Sequence, residues 1–168
     1  MTYEESSIAL NAAVMQLSPA ELPQFLKEHA EDQPKRPFTD YMRQKFREKR
    51  ISQQNVFLAA DLSERYGYKL ISGEKPTKKR DVILRICLAA KFQPEEVQSA
   101  LLLYGMTPLC ARFPRDCAFL VAFCNRIYDI HDVDALLREN NLAPCLITEV
   151  SSVTSVQGVK ERNQYSDT

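Results

Sequence analysis

The side chains in this sequence that could do chemistry are concentrated in one basic stretch, residues 35–80. That stretch carries thirteen basic and five acidic residues, a net charge of +8, although the whole chain of 168 residues has a formal net charge of zero. The other parts are acidic, with −5 for residues 1–34, −2 for 81–146 and −1 for 147–168. Such an uneven distribution favours a polyanionic partner, and a solvated basic face that only keeps the protein soluble is the common alternative.

Hydrogen-bonding side chains at helical spacing follow Ser63 within this stretch. Arg65 has two parallel N–H donors that fit O6 and N7 of guanine, and Glu64 can accept from the amino group of cytosine. Serine, glutamine and basic residues supply the phosphate contacts that position a protein on a duplex. The candidate base contacts are Ser63, Glu64, Arg65, Tyr68 and Lys69. The candidate phosphate contacts are Ser52, Gln53, Arg43, Arg47, Lys75, Lys78 and Lys79.

Two short helices must hold these residues in place. Ser52 is a good N-cap for a helix over residues 53–59, and Ser63 is one for a helix over residues 64–71, which Ser72 and Gly73 end. A short helix, a turn of about four residues and a second short helix form the helix-turn-helix arrangement, whose second helix enters the major groove of DNA.

Further helices are predicted on both sides, because apolar residues recur at helical spacing. The sequence has no alternating strand pair and no hairpin signal, so the fold class is all-α. A capping box at Ser18 and Glu21 opens a helix with the apolar stripe Leu22, Phe25 and Leu26, preceded by a loosely docked helix in residues 1–16. The other expected helices cover residues 40–49 (capped by Thr39), 81–91 (the most apolar one), 94–104, 114–127 and 132–139 (capped by Asp129 or His131).

Composition divides the chain into four parts. Residues 1–37 form an N-terminal helical extension and linker, and residues 38–105 form the helix-turn-helix domain. Residues 106–146 are expected to be a C-terminal helical extension packed on the same core, with residues 142–146 docking back. Residues 147–168, rich in Ser, Thr, Val, Gln and Asn, are expected to be a disordered tail.

The five helices of residues 39–103 resemble the DNA-binding domain of phage lambda repressor and Cro, the XRE family. The residues that carry the resemblance are Gln53 at the start of the first motif helix, the core positions Val56, Leu62 and Leu70, and the Gly-x-x-Pro exit formed by Gly73 and Pro76. The resemblance implies a lambda-repressor-like five-helix fold and a transcriptional regulator that binds double-stranded DNA.

A group of uncharacterised bacterial helix-turn-helix proteins with extra C-terminal helices is similar over a longer stretch, residues 18–146. The segments that carry this similarity are Tyr-Gly-Tyr-Lys at residues 66–69 with Ser72 and Gly73, the Pro-Glu-Glu helix start at Pro94, and Arg115 with Asp116 at a later helix start. This second resemblance implies a bacterial protein and leaves its biochemical role open.

Three positions depart from the XRE pattern. Phe57 stands where the family usually has a small alanine, and Gly67 stands where the second motif helix usually buries a branched apolar residue. Asp61 replaces the turn glycine and tolerates a left-handed conformation better than most residues. Together with the negative charge of Glu64 and the zero net charge, these departures motivate a second hypothesis: an adaptor that binds a protein partner through its C-terminal helices and tail and does not bind DNA.

An enzyme is the third and weakest hypothesis, because the sequence has no Gly-rich phosphate loop, nucleophile elbow or histidine-rich metal motif. Arg115 and Asp116 could form a catalytic pair, but a buried ion pair that fixes the C-terminal helices is favoured. The acids of residues 129–134 fit a helix N-terminus better than a metal site. We therefore expect no metal and no cofactor.

The five cysteines form no C-x-x-C pair, and Cys110, Cys117 and Cys124 are expected to be small buried residues, the last two seven positions apart on one core-facing side. The N-terminus has no signal-peptide pattern, and no apolar run approaches the roughly 18 residues of a membrane span. We expect a cytoplasmic protein with reduced thiols and no membrane contact. A homodimer is expected if it binds DNA.

Overall fold

The computed structural model describes residues 3–30 and 35–146, with side chains from residue 9 onward. In these two ranges the chain forms nine helices and no strand, so the prediction of an all-α fold is confirmed. The expected disordered tail, residues 147–168, lies outside the described residues. In chain order the helices are α1 (Tyr3–Met15), α2 (Leu22–Glu28), α3 (Pro37–Glu48), α4 (Gln53–Ala59), α5 (Glu64–Ile71), α6 (Arg80–Ala89), α7 (Pro94–Tyr104), α8 (Pro114–Cys124) and α9 (Ile130–Glu139).

One cluster of buried apolar side chains extends from Phe38 in α3 to Cys145 near the end of the described chain. Within it α3 packs on α5 and α7, α4 packs on α5 and α6, and α8 packs on α7 and α9. Helix α6 contacts α4, α7 and α9. It is central, as its nearly continuous apolar sequence predicted, and its buried residues are Val82, Ile83, Leu84, Ile86, Cys87 and Leu88.

The N-terminal helices contribute little to this core. The predicted capping box of Ser18 and Glu21 forms only in part. Ser18 N donates to Glu21 Oε2 at 2.8 Å, but the Ser18 hydroxyl also donates to this carboxylate and caps no N–H group. Helix α2 begins only at Leu22, with Glu21 as its N-cap. Helix α2 buries no residue, and Leu22 and Leu26 remain 45% and 49% exposed. In the expected apolar stripe of this helix, only Phe25 is half-buried, and its ring stacks on that of His29 with 4.2 Å between the centroids.

Six helices, α3, α4, α6, α7, α8 and α9, end with the same turn. A residue in the left-handed conformation follows the helix, and the next residue is apolar and donates its N–H to the carbonyl five positions earlier over 2.8–3.0 Å. Leu62 bonds to Phe57 O and Phe92 bonds to Cys87 O in this way. The bond satisfies a carbonyl that the helix leaves unpaired, and the apolar side chain enters the core. The left-handed residues are Arg50, Asp61, Lys91, Gly105, Arg126 and Asn141.

Three predicted helix boundaries were wrong, two of them because of these turns. Helices α6 and α8 end earlier than predicted because Lys91 and Arg126 adopt φ values of 55° and 56°. Helix α9 begins earlier because Asp129 is its N-cap and accepts from the N–H groups of His131 and Asp132.

The predicted N-cap of α3 was also wrong. The helix begins at Pro37, whose ring fixes φ at a helical value, so Thr39 lies inside the helix. Thr39 is buried and its Oγ1 donates to Ile71 O at 2.6 Å, which joins α3 to the end of α5.

Two Arg-Asp dipeptides, at the N-termini of α6 and α8, pair crosswise. Arg115 of α8 makes two parallel hydrogen bonds to Asp81 of α6, at 2.6 and 2.7 Å. Arg80 of α6 makes the reciprocal ion pair with Asp116 of α8, which is 2% exposed. The expected pair of Arg115 with Asp116 is therefore wrong in its partners: each residue pairs with a residue of α6 instead. The pKa of Arg115 is raised by its hydrogen bonds to Asp81.

The C-terminal segment docks on α9 and α8, as predicted. Asp134 of α9 accepts from the N–H groups of Cys145 and Leu146 at 2.7 and 3.1 Å, and Arg115 donates to Ala143 O at 2.9 Å. Burial, together with the hydrogen bond to Asp134, raises the pKa of the Cys145 thiol to about 12, so this thiol stays protonated.

The prediction that three cysteines are buried was wrong. Cys110 and Cys117 are half-buried and Cys124 is exposed, whereas Cys87 and Cys145 are the buried ones. Cys124 lies in the last turn of α8, where the chain leaves the helix and turns towards α9.

The crossed pairs predict a large stability difference between two acid-to-amide substitutions. Asp116→Asn leaves Arg80 without its buried counter-ion and should lower the free energy of unfolding by about 3 kcal/mol. Glu74→Gln removes the partner of Lys69 in an exposed pair and should cost less than about 0.5 kcal/mol. Urea denaturation of both variants measures the difference, and equal effects would contradict the assigned role of Asp116.

The recurring helix end predicts opposite effects of glycine at two exposed positions. Arg126→Gly relieves a left-handed conformation that disfavours L-residues and should raise the free energy of unfolding by about 0.5–1 kcal/mol. Ala135→Gly, in the middle of α9, should lower it by about 1 kcal/mol. Thermal denaturation of the two variants is the measurement, and a loss of stability in Arg126→Gly would refute the proposed effect of its backbone conformation.

Candidate nucleic-acid interface

Helices α4 and α5 begin and end at the predicted residues, and both predicted N-caps are present. Ser52 Oγ accepts from Asn55 N at 3.2 Å, and Ser63 Oγ accepts from Tyr66 N at 3.3 Å. Both serines are exposed. Because each cap uses an oxygen lone pair, the hydroxyl proton of each serine remains available to an incoming phosphate or base.

The two large departures from the XRE pattern, Phe57 and Gly67, are in direct contact. The Phe57 ring is fully buried and lies against the backbone of Gly67. A Cβ atom at Gly67 would lie 2.6 Å from Cδ2 of Phe57, and closer still to Cγ and Cδ1. The large residue on α4 therefore fills the space that a side chain on α5 would otherwise occupy, and each departure makes the other possible.

Tyr68 packs on the same phenylalanine from the solvent side. Its ring is perpendicular to that of Phe57, with an interplanar angle of 82° and 5.1 Å between the ring centroids. Tyr68 remains 43% exposed. It is therefore a surface aromatic held against the core.

The start of α5 presents two charged candidates. Glu64 is exposed and accepts a hydrogen bond from Gln54 Nε2 of α4 at 3.2 Å. Arg65 is exposed and forms no ion pair with any described acid. Gln54 was not among the predicted contacts, and its place beside Gln53 in the first turn of α4 was the signal that could have found it.

Helix α3 divides its basic residues between two sides. Lys45 and Lys49 face α7, where their ammonium groups lie 3.2 and 2.8 Å from the carboxylate of Glu96. Burial would raise the pKa of Glu96, but the hydrogen bonds from Lys49 and from Gln93 N outweigh it and the pKa is lowered. The lysines of α3 are therefore committed to the fold.

Two arginines of α3 and Arg50, which follows this helix, lie on a shared cleft, which we call the arginine cleft. Arg43, Arg47 and Arg50 line it, together with Phe46, Ile51, Ser52 and Gln53, and its volume is about 500 Å³. None of the three arginines pairs with an acid of the described chain. Arg50 was missed as a contact because it follows α3 in a left-handed conformation, with φ at 54°, and only this turn brings it beside Arg43 and Arg47.

The four candidate lysines lie elsewhere, since none of them lines the arginine cleft. Lys69 is half-buried and its ammonium lies 2.9 Å from Glu74. The Lys75 ammonium lies over the ring of Tyr66, 5.7 Å from its centroid. Lys78 and Lys79 are exposed in the connection to α6, and Lys79 is the N-cap residue of that helix. The structure therefore gathers four of the predicted phosphate contacts, Arg43, Arg47, Ser52 and Gln53, into one place.

The described ranges contain no group of three His, Cys, Asp or Glu residues that could hold a metal ion. None of their helices has both the length and the apolar character needed to cross a bilayer. The acids near the start of α9 have other roles, since Asp129 caps the helix and Asp134 holds the C-terminal segment.

No protein-family model matches this chain, and neither a curated protein nor a solved structure matches it.

The Phe57–Gly67 contact predicts a non-additive pair of substitutions. Gly67→Ala should lower the free energy of unfolding by about 1–2 kcal/mol, because the methyl group enters the Phe57 ring, despite the better helix propensity of alanine. Phe57→Leu by itself should lower the free energy of unfolding by about 1 kcal/mol. In the double variant the two costs should not add, since leucine leaves room for the methyl group.

Urea denaturation of the two single variants and the double variant measures this coupling. Gly67→Ala combined with Ile130→Val, a buried substitution in α9, is the matched control and should be additive. If both double variants are additive, the close contact does not limit the residue at position 67.

Proposed function

We propose that this protein binds double-stranded DNA through α5 and the arginine cleft and acts as a sequence-specific transcriptional regulator. The observation that carries the proposal is the arginine cleft, which has three arginines without acidic partners beside the N-terminus of α4. A phosphate group is the ligand that matches several unpaired arginines next to backbone and hydroxyl donors. The lambda-repressor-like arrangement inferred from the sequence is the fold that we assign to α3–α7.

In the proposed complex α5 lies in the major groove. Arg65 donates to O6 and N7 of a guanine, and Glu64, steadied by Gln54, accepts from a cytosine amino group. Arg43, Arg47 and Arg50 bind the sugar-phosphate backbone with Ser52 and Gln53 and so fix the depth and direction of α5. Glu64 repels phosphate, so it favours the duplex position in which it meets a base edge.

The basic stretch and the acidic remainder of the chain fit this role. A polyanion is drawn to residues 35–80 and away from the acidic N-terminal and C-terminal parts. A single short recognition helix contacts few base pairs, and we therefore expect two copies of the chain to bind two half-sites as a homodimer. We place this role in the bacterial cytoplasm.

A protein partner on the C-terminal helices is the second candidate function. It is favoured by three exposed apolar side chains on α7, α8 and the connection between them: Leu102, Phe113 and Val121 are 61%, 58% and 48% exposed. A pull-down that recovers one protein in stoichiometric amount, and no nucleic acid, would favour an adaptor over a DNA-binding regulator.

Removal of the three arginines tests the DNA hypothesis. Arg43→Ala, Arg47→Ala and Arg50→Ala together should weaken binding to a duplex at least tenfold. The slope of log K against log salt should become shallower by about 2–3, because each lost phosphate contact removes about 0.9 from it. Selection from random duplexes followed by titration at two salt concentrations gives both quantities.

A control variant with the same loss of charge separates a site from a general electrostatic effect. Arg112→Ala, Arg126→Ala and Arg138→Ala together remove three exposed arginines in and around α8 and α9. Affinity and slope should change little in this control. Absence of wild-type binding at low salt, or equal losses in the two triple variants, would sink the proposed interface.

A further inference from the structure

Phe57 contacts two consecutive residues of α5 in different ways. Its ring lies against the backbone of Gly67, which is buried, and perpendicular to the ring of Tyr68, which is exposed. A β-carbon at position 67 would push α5 away from the ring. The missing side chain of Gly67 therefore brings the backbone that carries Tyr68 close to Phe57.

This packing restricts the ring of Tyr68 but leaves its hydroxyl group uncommitted. The perpendicular ring arrangement is a favourable aromatic geometry, and tyrosine has only two side-chain torsions to fix. The Tyr68 hydroxyl makes no hydrogen bond with any residue in the described ranges. By contrast, Tyr41 and Tyr104 use their hydroxyl groups inside the fold, bonding to Glu96 O and Thr77 N.

We propose that the Tyr68 hydroxyl is a specificity-determining base contact of α5 and that Phe57 is the residue that positions it. This inference rests on the proposed DNA-binding function. A phenolic hydroxyl both donates and accepts, so it can bond to base-edge acceptors or amino groups in the major groove. Because the Tyr68 ring is already fixed before binding, its hydrogen bond to a base costs little conformational entropy. The fixed ring also holds the hydroxyl at one depth in the major groove, so that it favours one base position.

The fixed position of the Tyr68 ring depends on having phenylalanine at position 57 and glycine at position 67. The XRE pattern has alanine at the first of these positions and a branched residue at the second. With alanine at position 57, Tyr68 would have no aromatic surface beneath it and its ring would sample several rotamers. Phe57 acts only through Tyr68, since its own side chain is fully buried.

Selection from random duplexes with three variants tests both parts of the inference. Tyr68→Phe removes only the hydroxyl and keeps the ring packing, so the variant should fold normally. It should lose preference at one base position and lower the ratio of specific to non-specific affinity about fivefold, with the salt slope unchanged. Phe57→Leu should relax preference at the same position, about threefold, because the ring of Tyr68 is no longer held.

Tyr128→Phe is the matched control, since it removes a half-buried hydroxyl from the connection between α8 and α9. It should leave every base preference unchanged. A purely structural role of Phe57 would weaken binding to all sequences alike and would not change preference at one position.

The outcomes separate this inference from the function on which it rests. If the wild type binds no duplex, both fall. If the wild type selects a motif and Tyr68→Phe selects the same motif with equal strength, the base contact is wrong and the DNA-binding function stands. If Tyr68→Phe relaxes a position that Phe57→Leu leaves intact, the positioning role of Phe57 is wrong.

Discussion

The fold depends on how its short helices end. The nine described helices have between 7 and 13 residues, and isolated helices of this length are marginal in water. Six of them end with a left-handed residue and an apolar residue that bonds back to the helix and packs on the core. After three of these ends, those of α3, α4 and α6, the next helix starts two residues beyond the apolar residue. Ser52, Ser63 and Gln93 are N-caps placed directly after such a residue.

The C-terminal helices brace the part of the core that carries α4 and α5. The crossed pairs of Arg80 with Asp116 and of Arg115 with Asp81 tie the start of α8 to the start of α6. Helix α6 packs directly on α4, so its position affects the helix that presents Ser52 and Gln53. We infer that the extension beyond α7 supports the proposed interface indirectly, through the core.

Phe57 and Gly67 fit between α4 and α5 as a pair, although each of them departs from the XRE pattern. Considered one position at a time, a large residue on α4 and a helical glycine on α5 both argue against close packing of the two helices. Considered together, they conserve the volume between the helices, since the ring occupies the space left by the missing side chain. The two residues together therefore give no argument against close packing of α4 and α5. The hypothesis of an adaptor keeps the negative charge of Glu64 and the zero net charge as its support.

The sequence by itself determined the all-α class, the bounds of α4 and α5, both serine caps and the central place of α6. Helix caps and bounds depend on residues within about four positions of one another, and the burial of a helix depends on the periodicity of its own apolar residues. Both kinds of information can be read directly from the amino-acid sequence. Only the tertiary structure decided that Lys91 and Arg126 are left-handed, because non-glycine residues seldom adopt this conformation and no local signal marks them. It also decided the contacts across long separations. Arg115 meets Asp81 across 34 positions, and Arg50 joins Ser52 and Gln53 in one cleft only because the chain turns at Arg50 itself. These contacts form between residues that are distant in sequence and become neighbours only when the chain folds. The order of residues along the chain does not show which of them will be neighbours.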